Sequence, residues 1–206
     1  MKKITYEQLT ARNAHQLKGK LEIAVIGIAG CGGLGSNVAI ALTRIGVGKL
    51  ILVDFDVVDP TNLNRQQYFI NDIGKRKVDA LEEKLKMINP FLQIEKHHEK
   101  LNGINVKIIF KEAQIIVEAF DKVSEKAMLV KAFAGNLFKG KYLVTASGLA
   151  GYSAANTIKT KKLSKNIFVC GDNKTDFIIE GVMAPRVMIA AGHQANKAVE
   201  IIDKIL

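Results

Sequence analysis

The most constraining feature of this chain lies near its start, where EIAVIGIAG is followed by CGGLGSNVAIALTRIG and Gly30, Gly32 and Gly35 fall into the pattern GxGxxG. The nearly continuous apolar run over 22–30 reads as a parallel strand buried on both faces. Apolar residues at helical spacing follow over 34–45, and Gly46 supplies a C-cap. A second apolar run, KLILVDFD, reaches Asp54, nineteen residues beyond Gly35. Glycines at these positions allow a tight turn and the approach of a phosphate to the helix N-terminus. An acid at the end of the second strand accepts hydrogen bonds from ribose hydroxyls. Strand, loop, helix, strand and acid in that order predict a nucleotide site, without separating a dinucleotide from ATP.

Strands and helices go on alternating. A helix is predicted over 75–88, stopped by Asn89-Pro90, then a strand over 91–100, a short helix over 103–111 and a strand over 113–121. A helix over 123–137, a strand over 141–148 and a final helix opened by Pro185 complete the pattern. Residues 5–20 read as a leading helix. NTIKT and NIFVC, joined by KKLSK, read as a hairpin at a sheet edge. The expected fold class is α/β: a Rossmann-like, doubly wound, mostly parallel sheet with an edge hairpin near the C-terminal end. One domain over 1–206 is expected, with its core in 22–148 and the hairpin and final helix in 155–206.

Composition narrows the function classes. With 48% apolar and 24% charged residues in 206, the chain has ordinary globular usage. Two cysteines, Cys31 and Cys170, are too few for a disulfide framework or a four-thiolate zinc site. The N-terminal residues lack the apolar stretch of a signal peptide, and no run reaches the roughly 20 apolar residues of a membrane span, so a cytoplasmic protein is expected. The net charge of +10 fits nucleic acid, an acidic protein or an anionic small substrate. The lysines are spread along the chain without aromatic interleaving and read as solvated faces.

The segment after Asp54 carries more specific chemistry: Asp56, Asp59-Pro-Thr, Asn62-Leu-Asn64-Arg65-Gln66, then Gly74 and Lys77. An arginine and a lysine beside a nucleotide suit an enzyme that balances the charge of a triphosphate. Asp121, at the end of its strand, is a candidate oxygen ligand for the accompanying magnesium. His97, His98 and His193 have no cysteine nearby and read as surface or packing residues, not zinc ligands.

The run GIAGCGGLGSNVAIALTRIGVGKLILVDFDVVDPTNLNRQ, with GKRK and INP beyond it, resembles the ThiF, MoeB and HesA family, the bacterial relatives of ubiquitin-activating enzymes. Its tail resembles the short ThiF-like proteins of thiamine biosynthesis. The resemblance implies ATP-dependent adenylylation of the C-terminal glycine carboxylate of a small ubiquitin-like sulfur carrier, with release of pyrophosphate. On that basis Gly33 and the loop amides of Gly30, Gly32 and Gly35, with Asn62, Arg65 and Lys77, would contact the phosphates, Asp54 the ribose and Asp121 the magnesium, and Asp56 and Gln66 would also belong to the nucleotide site. A homodimer is also implied, in which Arg12 enters the partner's site. The two CxxC pairs of the larger relatives are missing, so no zinc is expected, and the sulfur-transfer step is assigned elsewhere. Three other readings remain: a tRNA-modifying branch that activates a carboxylate on tRNA, kept open by the +10 charge, a NAD-binding oxidoreductase, and a noncatalytic nucleotide-binding scaffold.

Overall fold

The computed structural model describes residues 4–135 and 137–206. Its centre is a seven-stranded sheet of β1 (Val25–Ala29), β2 (Lys49–Val53), β3 (Gln93–His97), β4 (Ile115–Glu118), β5 (Tyr142–Ala146), β6 (Lys159–Lys162) and β7 (Ile167–Gly171). The strands lie in the order β3-β2-β1-β4-β5-β7-β6, all parallel except for the antiparallel β6–β7 pair. The expected α/β class and edge hairpin are therefore both present. Within the hairpin, β7 pairs with β5 in the sheet and only β6 is an edge.

The apolar strands feed two cores because successive side chains point to opposite faces. Ile26, Ile28, Leu50, Leu52, Ile115, Val117 and Val144 enter one core. That face is covered by α3 (Gly33–Arg44), α4 (Lys77–Ile88) and α8 (Ala184–Ile205). Ala29, Ile51, Val53, Ile116 and Leu143 enter the other, under α5 (Asn105–Ile109) and α6 (Val123–Ala134). This is why the strands read as unbroken apolar runs.

Three elements differ from expectation. Residues 5–20 do not form one helix: they fold as α1 (Tyr6–Thr10) and a 3-10 turn at His15–Leu17, with Gly19 at φ 78° before α2 (Lys20–Ile23). Tertiary contacts override weak helical periodicity there, since Tyr6 donates to Gly46 O at 2.6 Å and Asn13 Nδ2 to Ile45 O at 2.7 Å. α4 starts only at Lys77, because Val57 and Arg76 form an isolated antiparallel bridge. Between β7 and α8 a short helix, α7 (Phe177–Glu180), appears, capped by the Asp176 side chain. No described helix is long and apolar enough to cross a membrane.

Candidate active site

The glycine loop links the C-terminal end of β1 to α3. Gly30 adopts φ +97°, and a Cβ on Gly35 would sit 1.8 Å from Gly30 O, so helix and strand approach as closely as only glycine permits. Gly32 is the N-cap of α3 and brings no side chain to its open amides, which leaves that helix end suited to an anion.

Asp54 holds the loop from the next strand. Its carboxylate accepts from Cys31 N at 2.6 Å and Asp56 N at 2.8 Å. Burial pushes the Asp54 carboxyl above the ordinary range, with Lys77 and the two amides opposing the shift. Lys77 Nζ lies 2.8 Å from Asp56 Oδ2. The thiol of Cys31 is fully buried beside Asp54 and pushed up by that burial, which makes it inert.

A set of polar ties fixes the Asn62–Gln66 segment against the loop. Asn37 Nδ2 donates to Gly33 O at 2.6 Å and Arg65 O at 3.1 Å, and Gln67 N donates to Ser36 Oγ at 3.1 Å. Tyr68 donates to Cys31 O at 2.8 Å. The Arg65 stem consequently lies over Gly33, where a Cβ would meet Arg65 Cγ at 3.4 Å. Its guanidinium donates to Thr61 O at 3.0 Å and Asn64 Oδ1 at 2.8 Å, with no acid partner among the described residues.

These groups surround a cavity of about 680 Å³ at the C-terminal ends of the parallel strands. Gly30, Gly32, Gly33, Asp54, Asp56, Arg65, Gln66, Lys77 and Asp121 all line it. Buried Gln66 leaves its Oε1 without a partner. Gly35 supports the loop from behind. Gly35, Asn62 and Arg12, three of the expected site residues, are not in the wall. Asn62 is turned into its own loop, where its Oδ1 accepts from Asp59 N at 3.1 Å in a capping box. Arg12 is exposed just after α1, which docks on Gly46 at the opposite end of the sheet, so it cannot reach the cavity of its own chain.

Part of the wall was not foreseen from the sequence. Lys126 lines the cavity and pairs at 2.8 Å with Glu118, a wholly buried acid at the end of β4. Glu118 also accepts from Phe120 N at 2.7 Å and from the Thr145 hydroxyl, and so orients the turn that carries Asp121. A charged residue inside the apolar run IIVEAF is the signal that could have found it. Residues 173–178 form the opposite wall and contain no recognisable motif. They are anchored by Asp172, which accepts from Lys174 N and Thr175 N and pairs with Arg186 at 2.6 Å.

The histidines and the second cysteine lie outside the cavity wall. His97 Nε2 contacts Glu95 at 2.9 Å and His193 Nδ1 contacts Thr160 at 2.9 Å. Burial pushes the Cys170 thiol up to about 11. Among the described residues no group of three or more His, Cys, Asp or Glu is arranged to hold a metal.

A parallel α/β sheet with a glycine loop, a buried acid on the next strand and lysine and arginine around one cavity defines a Rossmann-like protein with a candidate nucleotide site. The ThiF family pattern matches residues 7–205, and the chain belongs to the ThiF family. It is 32% identical over 162 residues to the tRNA threonylcarbamoyladenosine dehydratase of Escherichia coli K12, covering 78% of this chain and 58% of that protein. It is 46% identical over 87 residues to ubiquitin-like modifier-activating enzyme 5 of Caenorhabditis briggsae, covering 42% of this chain and 19% of that protein. The chain thus spans little more than half the length of the tRNA-modifying relative. Its fold matches the crystal structure of E. coli tRNA N6-threonylcarbamoyladenosine dehydratase in complex with ATP, with a TM-score of 0.81 and 20% identity over 94% of this chain and 91% of that one.

Proposed function

We propose that this protein uses ATP to adenylylate a carboxylate carried on tRNA. The observation that carries the reading is the convergence of the glycine loop, Asp54, Arg65 and Lys77 on one cavity, with a loop amide tied to Asp54. A carboxylate is ionised at neutral pH, so no general base is needed, and catalysis reduces to alignment and charge balance. The carboxylate oxygen attacks the α-phosphorus, and the bond to pyrophosphate breaks as the acyl adenylate forms. Arg65 and Lys77 offset charge on the leaving phosphates. Magnesium commonly binds through one or two carboxylates plus substrate phosphates, and Asp121 on the cavity wall fits that demand. The ion would supply further charge neutralisation. Displacement of AMP by a second group of the same substrate then completes a net loss of water, the chemistry of a dehydratase.

The tRNA assignment replaces the sulfur carrier of thiamine synthesis as the favoured substrate. Similarity to the tRNA-modifying relative spans 78% of this chain, whereas the ubiquitin-like-modifier-activating relative matches 42%. A homodimer belongs to the same proposal, because Arg12 can serve a cavity only in a second copy. The test is ATP–pyrophosphate exchange in the presence of tRNA bearing threonylcarbamoyladenosine or of ubiquitin-like carriers. tRNA-dependent exchange that collapses in Arg65→Ala is expected. Exchange that follows a carrier's terminal glycine and ignores tRNA would restore the carrier reading, and tighter binding of NAD than of ATP would overturn both.

A further inference from the structure

The positive charge of this chain is not evenly distributed. Residues 126–171 contain eight lysines and no acid. Two of the eight are engaged internally: Lys126 with Glu118, and Lys141, whose Nζ donates to Lys111 O at 2.7 Å and Ala113 O at 2.6 Å. The other six (Lys131, Lys139, Lys159, Lys161, Lys162 and Lys165) are exposed, and none forms an ion pair among the described residues.

The fold gathers those of the hairpin. Lys159 pairs with Gly171 across the hairpin, directly before the residues 173–178 that wall the cavity, while Lys162 pairs with Phe168 at the far end of β6. Lys165 sits in the turn, where Asn166 Nδ2 donates to Lys141 O at 2.8 Å, close to Lys139. Cations therefore run along the open edge of the sheet from the cavity rim to its base. β6 alone covers about 13 Å, and Lys159 and Lys161, two residues apart, project on one side roughly 7 Å from each other. An edge strand needs some charge to resist pairing with another edge. Edge protection does not account for the missing acids, because Glu or Asp interspersed with lysine would serve it equally well.

We propose that this acid-free edge, centred on Lys159, Lys161, Lys162 and Lys165, binds the phosphate backbone of the tRNA while the group to be activated occupies the adjoining cavity. The inference rests on the tRNA reading of the site. Unpaired exposed lysines along an extended edge suit a polyanion whose charges repeat along a line, since each ammonium acts as a point charge that displaces a counterion.

The test compares wild type with the Lys159→Gln, Lys161→Gln, Lys162→Gln, Lys165→Gln variant by filter binding of tRNA across a salt series, with ATP affinity measured on both. Support is at least a tenfold loss of tRNA affinity and a slope of log affinity against log salt reduced by about one per lysine engaged, with ATP affinity unchanged. A double reversal, Lys162→Glu with Lys165→Glu, keeps a charged edge. It should weaken tRNA binding further, and would leave it unchanged if the lysines served only edge protection. Wild type and variant binding tRNA with equal affinity and slope overturns this surface while leaving the tRNA substrate standing. Wild type that ignores tRNA but binds an acidic ubiquitin-like carrier through these lysines overturns both.

Discussion

Lys77 and Asp56 face each other at 2.8 Å, Nζ to Oδ2, with the lysine side chain 7% exposed and the aspartate 49% exposed. The cation is thus held inside the protein while its counter-charge stands half in water at the cavity wall. A triphosphate can replace Asp56 as the lysine's partner without moving the lysine. Lys77→Met should lower the rate of pyrophosphate exchange by about 10²–10³-fold, the usual loss when one preorganised donor is removed. Asp56→Asn should cost less, because Lys77 stays in place. Both are read from the exchange rate at saturating ATP.

The burial of Asp54 sets a pH dependence. Its folded pKa is raised, so the folded protein holds this proton at a pH where an unfolded aspartate, near 3.9, has lost it. Ionisation therefore costs stability as pH rises through the interval from the ordinary to the raised value. Ribose recognition needs the ionised form. ATP affinity should accordingly fall on acidification at a higher pH than an ordinary aspartate would give, and Asp54→Asn should bind ATP weakly with a flatter profile. Calorimetric titration between pH 7 and pH 4.5 measures both.

The Asp172–Arg186 pair should make the protein acid-sensitive in the opposite sense. Burial pushes the Asp172 carboxyl up, but the amides of Thr175 and Lys174, the Thr175 hydroxyl and Arg186 outweigh it, and the net shift is downward. A lowered folded pKa contributes stability that is present above the ordinary carboxylate value and lost as pH falls through the folded one. Thermal melts should steepen in their pH dependence below about pH 4, less so in Asp172→Asn. Arg186→Met leaves a buried carboxylate unpaired and should cost about 3 kcal/mol or more.

Two glycines should respond oppositely to alanine. At Gly35 the added Cβ would meet Gly30 O at 1.8 Å, so Gly35→Ala should displace the loop, weaken ATP binding and lower the melting temperature. Gly192, exposed within α8, has no atom within 4 Å of its added Cβ. There the substitution should raise stability by about 0.5–1 kcal/mol through helix propensity. Parallel melts of the two variants check the contrast.

The glycine-loop half of the cavity was legible in the sequence because it depends on local order. GxGxxG must sit between a strand and a helix, and Asp54 must end the next strand, for the loop amides and the acid to meet a ligand together. The apolar runs that became β1, β2, β4 and β5 were legible for the same kind of reason, since a strand buried on both faces has no polar side to interrupt it. Asn62 reads as a phosphate contact in sequence because its motif neighbours Arg65 and Gln66 do line the cavity. Only the folded turn shows its Oδ1 accepting from Asp59 N.

The sequence by itself determined the α/β class, the family and the glycine-loop site, because these follow from residue spacing within single β-α-β units. Tertiary structure alone decided what stands opposite that loop. Glu118 meets Lys126 and Thr145, and Asp172 meets Arg186, through contacts between residues distant in the chain that leave no periodic trace in sequence. The same holds for the lysines of the edge hairpin. They read as scattered solvated charge until the antiparallel β6–β7 register aligned them along an open edge beside the cavity.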